Sequence, residues 1–445
     1  MTCKTVLKYL TCVALAGGTW ALTAAERGAR AGGGLPDMTV PESFGMQLKP
    51  PQTKVETLDA TMDTLQDLGV KWVRRGFYWE SIEKTPGTYD FAEYDRLFKT
   101  FRARGISVIG CLFGDHSGYV DESKKATHLT EKGRQGYAKF AAACAEHFKD
   151  DNVLWEIWNE PNTMTFWGRH GKTGNSEQYA EEYLALVKAT VPAMKQANPQ
   201  CYILGGSVSN MWTESYKWQT YCFKKGMLST GIDAWSVHPY GLGRPEDYIA
   251  AYGIVRKLAT DAGAKPLPML NTERGFPVDK KAEGFAGGEA GLQFEYQAWH
   301  LVRQYLVDQL CDIKMTSWYE LGGTEGFALY KGEQKFPAYK ACKVLTQQLA
   351  GYKLDQRIDL ASPKDFVLRY VNKNGGVKLV AWTCPPKGDS PDGAKKHDVE
   401  VPVEAAGTLD GASIYGEAQK IEVKDGKATL TLSGGPQYVT VRSGK

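Results

Sequence analysis

Between about residues 42 and 350 the chain alternates short β-rich runs with longer stretches of helical periodicity, and it does so eight times. The expected strands are Phe44 to Lys49, Lys71 to Gly76, Ser107 to Phe113, Val153 to Trp158, Tyr202 to Ser207, Ala234 to His238, Pro268 to Asn271 and Lys314 to Trp318. A strand followed by a helix and then another strand is the grammar of a parallel sheet, because parallel neighbours need a long crossover and a helix supplies it. The first intervening stretch shows the helical pattern: Val55, Leu58, Met62, Leu65 and Leu68 recur at steps of three and four, and Gly69 stops it. Eight such units close on themselves as a (β/α)8 barrel.

After about residue 351 the pattern changes to short alternating runs, such as Phe366 to Tyr370, Val377 to Trp382 and Ala428 to Leu432, separated by Gly, Asp and Pro clusters. With no helical period left, residues 351–445 read as an appended antiparallel β-sandwich. At the other end, Lys4 and Lys8 precede an apolar run from Tyr9 to Ala16 that closes in small residues around Thr23, Ala24 and Ala25. This is the layout of a secretory signal peptide, too short and glycine-broken to span a membrane. The expected organisation is thus a signal at 1–25, a linker at 26–41, the barrel at 42–350 and the sandwich at 351–445. The destination is the cell exterior or the periplasm.

Removing the signal takes away two lysines and no acid, lowering the net charge from +3 to +1. A near-neutral chain offers no electrostatic case for nucleic acid or an anionic membrane surface. Of nine cysteines, Cys3 and Cys12 leave with the signal. No remaining pair has metal-ligand spacing, and Cys201 and Cys222 either bridge across one strand-to-helix unit or stay as buried thiols.

Chemistry concentrates at two strand ends. The fourth run closes on Trp155-Glu156-Ile157-Trp158-Asn159-Glu160-Pro161-Asn162, where Pro161 cannot donate to a ladder and is expected to break the strand just after Glu160. The seventh closes on Asn271-Thr272-Glu273-Arg274-Gly275, 113 residues beyond Glu160. Strand C-termini face the mouth of a parallel barrel, and the fourth and seventh strands face each other across it. Two carboxyls so placed suit glycoside hydrolysis with retention, in which a pair about 5–5.5 Å apart divides the work: one donates a proton to the leaving oxygen and the other attacks the anomeric carbon. A cation beside the nucleophile would favour its ionised form, and burial against Trp158 and Trp167 would favour a protonated acid. Trp318, at the end of the eighth strand, is expected to offer a flat face to a sugar ring. Glu156 reads as a polar residue inside the barrel and not as a third catalytic acid.

From residue 42 onward the chain resembles the clan A glycoside hydrolases, and most of all their family 39 and family 5 branches. The carriers are Val73-Arg74, Trp79, Pro86 to Phe91, Asn159-Glu160-Pro161, His238-Pro239-Tyr240, Glu273 and Trp318. The resemblance implies Glu160 as general acid/base and Glu273 as nucleophile. It also implies that Asn159 hydrogen-bonds the sugar 2-hydroxyl, that Arg74 (or Arg75 in its place) helps keep Glu273 ionised, and that His238 and Tyr240 line the subsite around the two carboxylates.

The segments Asp115 to Tyr119 and Tyr319 to Gly323 match no single branch, so the sugar is less legible than the reaction. The expected partner is an oligosaccharide or polysaccharide with β-linkages, cut at an end or internally by double displacement without metal or other cofactor. Tyr78, Trp79, Tyr119, Phe166, Trp167 and Trp212 are candidates for several subsites along a plant or microbial polysaccharide. Two rivals remain at this point. A glycan-binding protein on a degenerate barrel would not need both carboxylates, and a transglycosylase would use the same residues but let a sugar intercept the intermediate.

Overall fold

The computed structural model describes residues 34–123, 125–168, 176–278, 290–323, 326–384 and 394–442. The expected signal peptide therefore lies outside the described residues. Eight parallel strands close a barrel: β1 Phe44–Gln47, β2 Trp72–Tyr78, β3 Ser107–Phe113, β4 Val153–Ile157, β5 Tyr202–Ser209, β6 Ala234–His238, β7 Met269–Arg274 and β8 Ile313–Trp318, with β1 pairing to both β2 and β8.

The period of two along each strand sorts the barrel into layers. Trp72, Ile109, Leu154, Leu204, Ala234, Leu270 and Met315, one from each of β2 to β8, form an apolar cluster of their own inside the barrel. On β1 the matching position is Gly45, where a Cβ would sit 3.1 Å from the Trp72 Cβ, so glycine makes room for the indole. Residues between these positions, such as Val73, Val108, Trp155, Ile203 and Trp235, join the core that packs the strands against the surrounding helices. Two positions further up, the interior turns polar with Arg74, Cys111, Glu156, Ser236 and Thr272. The plug below is apolar and the floor above it is charged, so polar chemistry collects at the C-terminal mouth.

The helix Val55–Asp67 buries Leu58, Met62 and Leu65 as its spacing requires, and the chain turns at Gly69 with φ 69°. Part of the expected linker is packed: Gly34 N–H donates to Asn152 Oδ1 at 3.0 Å, Leu35 rests on the interior cluster, and Val40 N–H donates to the Tyr352 carbonyl at 2.8 Å.

Beyond the last barrel helix, Pro337–Gln348, come β9 Tyr352–Ile358, β10 Asp365–Asn372, β11 Val377–Thr383, β12 His397–Pro402, β13 Gly407–Ala412, β14 Ala418–Lys424, β15 Lys427–Leu432 and β16 Gln437–Arg442. They pair antiparallel in the order β9-β10-β11-β16-β13-β14-β15-β12 and enclose a second core of Val367, Leu379, Ala381, Val401, Leu409, Ile421, Leu430, Leu432 and Val439. Alternate residues on the same strands, Phe366, Leu368, Tyr370, Val380, Trp382 and Tyr438, belong to the barrel's outer core, so this sheet is apolar on both faces. The contact is fastened by polar groups. Glu246 accepts from Arg303 and from Trp382 Nε1 at 2.8 Å, and Tyr370 OH donates to Gln309 Oε1 at 3.1 Å.

Cys201 and Cys222 are both buried free thiols. No described helix is long and apolar enough to cross a membrane.

Candidate active site

β4 ends one residue earlier than the sequence suggests. The chain leaves the ladder at Trp158, with φ 68°, and turns again at Glu160, with φ 47°. Left-handed backbone at non-glycine residues costs of order 1–3 kcal/mol each and persists only when its surroundings over-determine it. Here they do. Trp158 N–H donates to the Leu112 carbonyl at 2.9 Å and its indole N–H to the Phe166 carbonyl at 3.1 Å. The indole lies among Phe113, His128, Tyr137 and Trp167. Asn162 clasps β5 by donating to the Ser209 carbonyl at 2.8 Å and accepting from Ser209 N–H at 2.9 Å. The strain holds Glu160 over the mouth, so the break comes from the Trp158 turn and Pro161 only follows it.

β7 reaches the same mouth by another device. Asn271 pairs with Thr316 and Arg274 with Trp318, so three steps on β7 oppose two on β8. This extra residue is a β-bulge, which re-aims a side chain. Asn271 faces outward and donates to Asp308 at 2.7 Å, whereas Thr272 donates inward to Glu156 Oε1 at 2.6 Å. Strict alternation would send Glu273 outward again. The bulge turns it inward beside Thr272 and returns Arg274 to the helix side.

Arg74 joins the two strand ends. Its Nε and Nη2 donate to Glu156 Oε2 at 2.8 and 2.6 Å, Nη1 donates to Glu273 Oε2 at 2.8 Å and to Gln47 Oε1 at 3.1 Å, and Nη2 donates to Asn159 Oδ1 at 2.7 Å. Asn159 thereby uses its side-chain oxygen on Arg74. Arg75 lies on the opposite face of β2 and reaches Glu93 at 3.4 Å, so Arg74 is the arginine beside Glu273.

His238, fully buried at the end of β6, places Nδ1 2.9 Å from Glu160 Oε1 and Nε2 3.1 Å from Ser207 Oγ. Ser207 also accepts from the Glu160 N–H at 3.4 Å. Tyr240 OH donates to Glu273 Oε1 at 3.3 Å. His238 thus braces Glu160 against Ser207. A carboxylate oxygen of Glu160, one of Glu273 and a ring nitrogen of His238 all lie within 4.8 Å of one another. Such a close approach of the two carboxylates fits the retaining arrangement, in which the pair sits closer than in an inverting one. These three also have the donor types of a divalent-ion site, but they come from three strands, so no sequence spacing announces it.

The electrostatics differ in one respect from expectation. Burial pushes the Glu273 carboxyl above its ordinary range; His238 and Arg74 pull it down, while Glu160 and Glu156 push it up again. Arg74 is indeed in contact, but its charge is shared. Burial also opposes ionisation of Glu156, yet Arg74, His238 and hydrogen bonds from Thr272 and Ser236 outweigh it and hold that carboxyl low. Glu156 is therefore the permanent counter-ion of Arg74, and Glu273 receives the remainder.

Trp318 is placed differently from the expectation. It ends β8 in register with Arg274, with no exposed surface and its ring centroid 6.4 Å from that of His300 on the helix Ala290–Leu310. It is enclosed by packing and presents no open face to a sugar. Trp79 and Trp167 are likewise buried. The open aromatic surface lies elsewhere: Tyr78 is 40% exposed and Trp212 53%, with Phe113, Tyr119 and Phe166 half-buried.

Sequence reasoning missed Ser207 and Gln47 as members of the site. The Gly205-Gly206-Ser207 run near the end of β5 was the available signal, since Gly206 and Ser207 both have positive φ.

The family model described as Cellulase (glycosyl hydrolase family 5) matches residues 37–277, just over half of the chain. Among solved structures, the chain is similar to a family 39 glycoside hydrolase from the gut symbiont Bacteroides cellulosilyticus WH2, with 21% identity over 90% of this chain and 81% of that one and a TM-score of 0.69. It is also similar to a monomeric β-xylosidase from Caulobacter crescentus CB15, with 15% identity, 92% and 98% coverage and a TM-score of 0.63. A GH30 endoxylanase from Clostridium papyrosolvens C71 matches with 14% identity, the same coverages and a TM-score of 0.61. At these identities the structures speak for the barrel-plus-sheet fold alone. The family match, over more than half of the chain, makes the chain a member of the cellulase family, glycosyl hydrolase family 5, and a retaining glycosidase.

Proposed function

We propose that this glycosidase is exported and cleaves β-linked polysaccharide internally, with Glu160 as acid/base and Glu273 as nucleophile. Glu160 passes its proton to the glycosidic oxygen as Glu273 Oε bonds to the anomeric carbon, releasing the leaving sugar. Glu160, now ionised, takes a proton from water, and the resulting hydroxide displaces Glu273. The observation that carries the internal mode is the rim on the side of the acid. Tyr78, Phe113 and Phe166 run in edge contact, with centroids 6.4 and 6.1 Å apart, and Met164 and Trp212 are exposed on the β4 and β5 loops. The leaving group departs on the side of the acid, so open aromatic faces there suit a leaving group that is itself a chain of sugars. The family's name and the xylosidase and endoxylanase titles of the similar structures support a β-linked plant glycan.

A reducing-end release screen over β-glucans, xylans and mannans tests the substrate: new ends accompanied by a fast fall in viscosity mark internal cleavage, and monosaccharide alone refutes it. The roles are tested by alanine variants in azide. Glu160→Ala should keep most of its rate on an activated aryl glycoside and give the glycosyl azide of retained configuration, whereas Glu273→Ala should give the inverted azide. Swapped configurations would swap the roles. Export predicts a mature N-terminus near Ala25 or Glu26, read by sequencing, and an intact Met1 on the mature protein would refute it.

A further inference from the structure

Arg274 follows the nucleophile directly and is 2% exposed, yet among the described residues it meets no carboxylate. Its Nη1 donates to the Gly275 carbonyl, its Nη2 lies 2.6 Å from His300 Nε2, and its Nε has no hydrogen-bond partner. The guanidinium instead lies between two tyrosines, 5.0 Å from the ring centroid of Tyr240 and 5.6 Å from that of Tyr248. A buried cation without a counter-ion is costly, and the other buried arginines among the described residues, Arg74, Arg75 and Arg303, each have a carboxylate. His300 does not relieve the charge, since burial together with Arg274 and Arg303 keeps its imidazole neutral.

The ring above Arg274 belongs to the residue whose hydroxyl donates to the nucleophile. A cation over a phenol face draws density from the ring, and this makes the O–H a better donor. Glu273 needs that help because Arg74 divides its charge with Glu156. The groups facing Glu273 are Arg74 of β2, Cys111 of β3, Glu156 and Glu160 of β4 and its loop, His238 and Tyr240 of β6 and its loop, and Tyr319 after β8. Those facing Arg274 are Tyr240, Tyr248 and His300, with Arg303 beyond His300 and Asp247 and Asp308 beyond Tyr248. The like-charged neighbours Glu160 and Glu156 favour protonation of Glu273, and His238 and Arg74 oppose them directly.

We propose that Arg274 is a positioning residue for catalysis: its uncompensated charge, applied through the Tyr240 ring, strengthens the Tyr240–Glu273 hydrogen bond and keeps the nucleophile ionised at mildly acidic pH. The bulge in β7 is what turns Glu273 to the barrel interior and Arg274 to the helix side. The proposal rests on Glu273 being the nucleophile, which the azide products decide separately.

The test is the acid limb of kcat/KM against pH on an activated aryl glycoside, with thermal melts to establish folding. Arg274→Gln and Arg274→Met both remove the charge, and Met keeps an apolar stem between the rings; whichever folds supplies the measurement. The limb should move up by about half a pH unit or more, while the rate above the limb changes little. Arg274→Lys, which keeps the charge, should restore most of the wild-type position. In a Tyr240→Phe background, which lacks the donated hydrogen bond, neutralising Arg274 should move the limb no further. A folded neutral variant with the wild-type limb would overturn the proposal. So would a shift that survives undiminished in the Tyr240→Phe background, because the charge would then not act through the phenol.

Discussion

Removing Arg74 should have two separable consequences, one for stability and one for the nucleophile. Arg74→Met leaves Glu156 and Glu273 buried without the cation they share at 2.6 and 2.8 Å. Breaking a buried pair in this way costs about 3–5 kcal/mol, because a charge is left uncompensated. Adding Glu156→Gln removes the more deeply buried of the two charges and should return most of that loss, since Thr272 can still donate to the amide oxygen. The nucleophile is not rescued. A contact of 2.8 Å puts the charge centres roughly 4 Å apart, worth about 4 kcal/mol at an effective dielectric of 20, or about 3 pH units. Loss of the repulsive Glu156 charge gives part of this back, leaving a net rise of about 1–2 units in the pKa of Glu273. Because kcat/KM requires ionised Glu273, its acid limb should move to higher pH by that amount, with the greatest loss of activity at low pH. Urea unfolding and pH-rate profiles of the single and double variants read the two effects. A double variant that regains stability and keeps the wild-type limb would refute the claim that Arg74 acts on the nucleophile at all.

Asp308 is buried and accepts from Asn271, Tyr252, Thr316 and Gln304 at 2.7–2.8 Å, yet burial raises its carboxyl to about 6. A carboxyl raised on folding stabilises fully below its unfolded value near 3.8 and loses that contribution as pH rises through 6. Wild type should therefore lose about 2 kcal/mol relative to Asp308→Asn between pH 4 and 7, and a flat difference in the unfolding free energies would contradict this. Trp382 stacks on Phe366 at 4.8 Å and donates to Glu246, so Trp382→Ala should cost about 3–5 kcal/mol by urea unfolding, with aryl-glycoside activity per folded molecule unchanged. Activity should survive dialysis against EDTA, since a carboxyl pair needs no ion; metal-reversible loss would mean that Glu160, His238 and Glu273 hold one.

What the sequence makes legible follows from how far each signal reaches along the chain. Strand and helix periodicity are local, so all eight barrel strands stand within a few residues of their expected places, and β3 and β6 agree to the residue. The two-residue alternation also foretells which face is polar once the strands are placed. It cannot announce an exception to itself, and the site depends on two. The extra residue in β7 exists only relative to the β8 ladder, so Glu273 looks outward by counting and inward by pairing. The turn at Trp158 is imposed by groups from β3 and from the segment that follows Glu160, so Pro161 looked like the cause when the break had already happened. Trp318 illustrates the converse. Its strand-end position is evident from the sequence, but whether a ring at a strand end stays open depends on what the neighbouring helix brings, and His300 stands there. The carboxyls were legible because their chemistry restricts residue type, whereas the counter-ion arithmetic around Arg74 was not, because Glu156 and Glu273 become rivals for one guanidinium only when three strands meet.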